Sequence, residues 1–155
     1  MASDRGLERV LDLRQKAEDA ARAKWSGALA AVSACENQIQ KLEDFKGVYL
    51  KEMAQKSALT LSMNQYLAYE DFIGRLDDAV KKQSMVLEGL KQRAEQCRDA
   101  FVKARQQREI IESLIESHKK KRADLESRAE AKLTDDTVSS KMARIMQRQS
   151  RDCND

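Results

Sequence analysis

The sequence contains no proline and only five glycines, Gly6, Gly27, Gly47, Gly74 and Gly89. Turns draw heavily on these two residue types. Their scarcity argues against folds with many turns, such as a β-sandwich or a doubly wound α/β sheet. Aromatic residues make up 5% of the 155 positions. Aromatics and large aliphatics this sparse cannot fill a globular interior of that size at normal packing density. No run of about 18 apolar residues occurs, so no membrane-spanning helix is expected. The opening Met1-Ala2-Ser3-Asp4-Arg5 turns charged at once, which argues against a secretory signal. Cys35, Cys97 and Cys153 are odd in number and widely spaced. They fit neither a metal-ligand spacing nor a disulfide framework, and a reducing cytoplasm is the simple reading.

What is present is a helix-forming alphabet of Ala, Leu, Glu, Lys, Arg and Gln, with 35% of residues charged. The mean hydropathy of −0.71 would also suit disorder. A regular apolar period decides against it. One stripe runs through Trp25, Ala28, Val32, Cys35, Ile39, Leu42, Tyr49 and Met53, with Lys46 filling one slot poorly. Its register continues upstream, more weakly, through Ala21, Glu18, Arg14, Leu11 and Leu7. A second stripe steps by three and four from Tyr66 to Ala129. Only Gln83, Arg108, His118 and Arg122 interrupt it, and three of these lie in its last third. Both are heptad seams.

Between the stripes, Ser62 followed three residues later by Gln65 has the form of a capping box. The expected fold is all-α: two long helices in an antiparallel coiled coil, the second longer with a C-terminal overhang. Helix one is placed at about 4–56, the turn at 57–62 and helix two at about 63–133. A frayed or disordered tail at 134–155 begins near Thr134-Asp135-Asp136-Thr137. With a turn near Leu59, residue i faces roughly residue 119 − i. Trp25 then meets the level of Ala94, Leu42 that of Asp77 and Leu7 that of Glu112. Helix two lacks a partner beyond roughly residue 117, and the paired part spans roughly 80 Å. Cys35 and Cys97 fall on the order of 20 Å apart, too far for a disulfide.

The charge is unevenly placed. Residues 1–117 hold 19 Lys and Arg against 19 Asp and Glu, whereas residues 118–155 hold 10 against 7. The whole excess of +3 is C-terminal. Nothing resembles a catalytic constellation. The single histidine is His118, and there is no phosphate-cradling glycine loop. The carboxylates sit at i,i+4 from Lys or Arg, as with Glu18 and Arg22 or Asp99 and Lys103. The chain is therefore read as a non-enzyme without cofactor, metal or small-molecule substrate. His118 reads as a polar seam slot. The run Lys119-Lys120-Lys121-Arg122 lacks aromatic interleaving, which favours a solvated or protein-binding face over nucleic acid.

Near the turn, apolar residues exceed what a two-helix seam buries. Helix one offers Gln38, Leu42, Phe45 and Tyr49; helix two offers Phe72, Leu76, Ala79 and Gln83. The two sets share a spacing and fall at one level. Phe45 and Phe72 lie beside the seam. This is either a surface patch for a partner or a locally thicker seam.

These residues carry a resemblance. The run Leu7-Glu8-Arg9-Val10-Leu11-Asp12-Leu13-Arg14, with the Ala-rich stretch to Trp25, is similar to the start of the FliJ family of flagellar type III protein export. Gln65-Tyr66-Leu67-Ala68-Tyr69-Glu70-Asp71-Phe72-Ile73 resembles that family's second-helix opening. The resemblance extends over nearly the whole chain. It implies an antiparallel hairpin that acts as a stalk in the hexameric export ATPase and promotes its ring assembly. It also implies binding to the cytoplasmic part of the export-gate membrane protein and to export chaperones. The gate-binding residues it implies are Gln38, Leu42, Phe45, Tyr49, Phe72, Leu76, Ala79 and Gln83. Phe45 stands where the family often has Tyr. The stalk end it implies maps to Leu7, Leu11 and Arg14 on helix one and to the 118–150 overhang on helix two, with Lys119, Lys120, Lys121 and Arg122 as its ATPase-binding cations. The implied location is cytoplasmic, at the inner-membrane face through the export apparatus. Three alternatives keep the architecture: a chaperone-escort adaptor, the equivalent stalk of a virulence secretion system, and a structural coiled coil that dimerises through its overhang.

Overall fold

A computed structural model describes residues 2–56 and 61–154. The chain forms two helices packed against each other, α1 (Ala2–Lys56) and α2 (Met63–Asp152). No strand occurs among the described residues. The second helix is the longer, as its apolar period requires. Residues 57–60, most of the expected turn, lie outside the described residues. The start of α2 is built as the sequence indicates. The Ser62 backbone N–H donates to Gln65 Oε1 at 3.3 Å, and the Gln65 N–H donates to Ser62 Oγ at 3.3 Å. This reciprocal pair satisfies donors that a helix N-terminus otherwise leaves open.

The chain divides into two units, residues 12–108 and residues 1–11 with 109–155. In the first, the heptad seam is the core. Ala28 and Cys35 of α1 and Ala94 and Phe101 of α2 are its buried apolar residues. Most of these side chains are small, so the two backbones can approach closely. Trp25 stacks on Phe101, with ring centroids 5.4 Å apart and planes 25° apart. The Arg22 guanidinium lies over the Phe101 ring at 5.4 Å. Nearer the capping box, Tyr49 packs on Phe72 at 4.5 Å and on Tyr69 at 6.2 Å.

Polar residues that interrupt this seam meet one another. Glu18 is only 1% exposed. It is paired with Arg108 and, at 3.3 Å, with Arg22. Cys35 Sγ lies 3.6 Å from the Gln83 carbonyl and 3.7 Å from its side-chain oxygen. Lys46 Nζ lies 2.6 Å from an Asp77 carboxylate oxygen, which raises the lysine's pKa first through that hydrogen bond. Such pairs offset desolvation only when both partners are in place, so they favour one register over its neighbours.

The contacts depart from the expected levels. Cys35 and Gln83 fit the 119 − i relation closely. Trp25 meets Phe101 rather than the Ala94 level, one heptad further along α2. The cause is side-chain direction. Helical side chains lean toward their own N-terminus. In an antiparallel pair the two leans are opposite, so long side chains touch partners further along the second helix than short ones do. Cys35 is short and Trp25 is long.

In the second unit, Leu7, Val10 and Leu11 of α1 and Ile111 and Ile115 of α2 are partly buried. Asp4 pairs with Arg122 beyond them. That pairing reaches past the expected last level near residue 117, again through a long side chain. From Glu116 to Asn154 every residue is exposed. α2 nevertheless runs through the expected break at Thr134–Thr137 to Asp152, past the expected boundary near 133. Thr134 Oγ1 donates to the Glu130 carbonyl at 2.9 Å and Thr137 Oγ1 to the Leu133 carbonyl at 2.8 Å. These hydroxyls bond back into the helix and do not cap a new one.

Candidate functional site

The gate-type residues suggested by the sequence all lie in the 12–108 unit, and they divide by depth. Leu42, Tyr49, Leu76, Ala79 and Gln83 are partly buried. They belong at least in part to the seam, where their heptad positions put them. Gln83 is engaged by Cys35. Gln38 and Phe45 face solvent, Phe45 at 59% exposure. Phe72 is 39% exposed yet packs its ring on Tyr49. The direct ring contact within the set is therefore Tyr49 with Phe72, while Phe45 stands apart from it.

Beside this pair is an open groove of about 350 Å³, lined by Tyr49, Tyr69, Phe72, Ala68 and Leu61 among others. Val48, Leu50, Met63, Tyr66 and Leu67 are exposed as well, and Leu67 lines a separate groove with Glu70, Asp71 and Asp78. The heptad reading passed over these residues, apart from Tyr66, because they fall between seam slots. Tyr66 itself was assigned to the seam and is 38% exposed.

The residues suggested for the ATPase are reported by unit. Within residues 1–11 and 109–155, Leu7 and Leu11 are partly buried. Lys119, Lys120 and Lys121 are exposed and form no ion pair among the described residues. Arg122 is held by Asp4. That hydrogen bond is the main cause of a lowered Asp4 pKa and a raised Arg122 pKa. Within residues 12–108, Arg14 donates to Gln107 Oε1 at 2.8 Å. The run Lys119–Arg122 therefore presents three uncommitted cations and one committed one. His118 is exposed, not seated in the seam.

Among the described residues, no group of three or more His, Cys, Asp or Glu could hold a metal ion. All three cysteines are free: Cys35 buried, Cys97 partly buried and Cys153 exposed. No helix of the described residues is long and apolar enough to cross a membrane.

The sequence model of the family described as "Flagellar FliJ protein" matches residues 3–147. This chain belongs to the FliJ family. Membership brings a role in flagellar type III protein export and an association with the export apparatus. FliJ is a coiled-coil family, consistent with the paired helices. No curated protein and no solved structure matched the chain.

Proposed function

We propose that this FliJ-family chain is a stalk-like link between the hexameric export ATPase and the export gate. The reading rests on one observation above others. Phe45 and Phe72 are exposed beside a seam whose own polar interruptions are already paired. Exposed aromatics at the edge of a satisfied core mark a partner surface. The gate's cytoplasmic part would cover Gln38, Leu42, Phe45, Tyr49, Phe72, Leu76, Ala79 and Gln83. The ATPase would take Leu7, Leu11, Arg14 and Lys119–Arg122. Its site would then be at the cytoplasmic face of the inner membrane.

The mechanism is binding without chemistry. A two-helix element has no six-fold symmetry, so it cannot contact six identical subunits equally. Unequal contacts bias which nucleotide state each subunit occupies. The uncommitted Lys119–Lys121 would speed docking into an acidic lining by electrostatic steering.

Pull-down against the ATPase and the gate domain tests the two sites separately. Phe72→Ala should lose the gate and keep the ATPase. Neutralising Lys119–Lys121 to Gln should weaken ATPase stimulation more at low salt than at high salt. Loss of both partners by either variant, or equal stimulation at both salts, would sink the reading. The groove at Tyr49 and Phe72 favours a second reading, an escort that binds export chaperones there. Stimulation of the ATPase at far below one chain per subunit separates the stalk from the escort.

A further inference from the structure

One edge of the 12–108 unit carries no acid. Stepping alternately by three and four from residue 17 to 45 along α1 and from 72 to 100 along α2, no position is Asp or Glu. Five of these positions are cations: Lys24, Lys41, Arg75, Lys82 and Arg93. Of the five, only Arg75 forms an ion pair among the described residues, with Asp71. At Lys24 and Arg93 the edge opens into a groove of about 350 Å³, floored by Gly27, Ala28, Ala31 and Leu90. Neither cation has a carboxylate three or four residues away on its own helix, the spacing at which helices pair charges. Facing flank positions of a coiled coil favour opposite charges, and here both are positive. A Cβ on Gly27 would meet nothing within 4 Å. The hairpin therefore does not require glycine there, although glycine inside a helix costs stability.

The same edge leads to the exposed aromatics. Lys24, Ala31, Gln38 and Phe45 follow at seven-residue intervals on α1, as do Phe72, Ala79, Val86 and Arg93 on α2. In an antiparallel pair the two series run level by level, from Phe45 with Phe72 to Lys24 with Arg93. The two ends are on the order of 30 Å apart at helical rise. We propose that the gate's cytoplasmic part, beyond its contact at Phe45 and Phe72, lays an acidic amphipathic helix along this edge, with carboxylates at Lys24 and Arg93. The proposal rests on the gate reading and adds to it the partner's charge and conformation. A helix satisfies its own backbone, whereas the floor of Gly27, Ala28, Ala31 and Leu90 offers no side-chain hydrogen-bonding group to an extended chain. The small floor residues let its axis come close. Val86, 51% exposed, would be covered midway. The carboxylates supply the charge that this edge lacks and relieve the facing of Lys24 by Arg93.

Calorimetric titration of the full chain with the gate's cytoplasmic part tests this. K24E/R93E should weaken binding by roughly tenfold or more at low salt, and by less at high salt. Gly27→Leu puts a side chain into the open groove and should weaken binding at both salts. K81E/K91E reverses two cations across the seam on the other edge of α2 and should change affinity by less than about twofold. Lys24, Gly27 and Arg93 are solvent-exposed, so helicity should hold by circular dichroism. Phe72→Ala separates two failures. If Phe72→Ala loses the gate while K24E/R93E and Gly27→Leu bind as the unaltered chain does, the helix proposal is overturned and the gate reading stands. If all three variants bind as the unaltered chain does, or the unaltered chain does not bind, both fall. Concentration-dependent self-association that K24E/R93E abolishes, with gate affinity unchanged, also overturns the proposal and assigns the edge to a second copy.

Discussion

Residues 12–108 and residues 116–152 use much the same alphabet and end in different states. In the first stretch, charged and polar side chains that enter the apolar period meet complements: Glu18 with Arg108, Lys46 with Asp77, Gln83 with Cys35. In the second, apolar residues such as Leu125, Leu133 and Val138 stand exposed on a stretch of α2 that has no shielded side chain. Helix propensity is therefore not what distinguishes them. The difference is whether a second helix supplies the other half of each pair.

Substitutions can break or sharpen that contrast. The largest effect is expected at Phe101, which is buried against Trp25 and under Arg22. Phe101→Ala should cost about 3 kcal/mol in denaturant titration. Glu18→Leu removes the buried carboxylate facing Arg108 and Arg22 and should cost about 2 kcal/mol. Adding Arg108→Leu should recover most of that stability, because an apolar pair replaces the ionic one. No recovery would mean that the pair contributes more than its own desolvation. Next come matched swaps in the two stretches. Leu90→Gln in the seam should cost about 1–2 kcal/mol, whereas Leu133→Gln should fall within about 0.5 kcal/mol of no change. Equal losses would show that the long end of α2 is not solvent-facing.

Two smaller effects complete the series. Gly89 lies inside α2 with nothing within 4 Å of where a Cβ would be. Gly89→Ala should raise stability by about 0.5–1 kcal/mol, visible as a higher melting temperature. The weakest is the Asp4–Arg122 pair. The Arg122 hydrogen bond holds the Asp4 carboxyl below its ordinary value of 3.8. A lowered folded-state pKa contributes stability that is present above 3.8 and is lost as pH falls through the lowered value. Carboxyl titration by NMR should show the depressed midpoint. Arg122→Gln should return it toward 3.8.

Much of this fold could be read from period alone. The stripe from Leu7 to Met53 is shielded throughout except at Arg14, and the Ser62–Gln65 box caps α2 as its residues imply. Period specifies which face is buried, but it leaves the register along the pair open. That register depends on side-chain length and lean, which is why Trp25 meets Phe101 and not the Ala94 level. Period also treats Glu18 and Arg108 as two separate weak slots, whereas space makes them one pair. The Thr134–Thr137 stretch reads as a break candidate in sequence, yet its threonine hydroxyls bond back to the Glu130 and Leu133 carbonyls within a continuous helix. At the candidate site, Tyr49 and Phe72 were visible as a pair by level. The exposed Val48, Leu50 and Leu67 were not, because residues between seam slots carry no periodic signal.

The cross-helix pairs also imply an order of assembly. Cys35 and Gln83 are 48 residues apart in sequence, Glu18 and Arg108 are 90, and Asp4 and Arg122 are 118. Each closure makes the next loop shorter than it would be alone, so pairing that starts beside the Ser62 cap can proceed outward like a zip. During synthesis, Glu18 emerges long before Arg108. The first helix therefore waits with half of each pair exposed until the second helix arrives. By loop length alone, the Asp4–Arg122 contact should be the last to close.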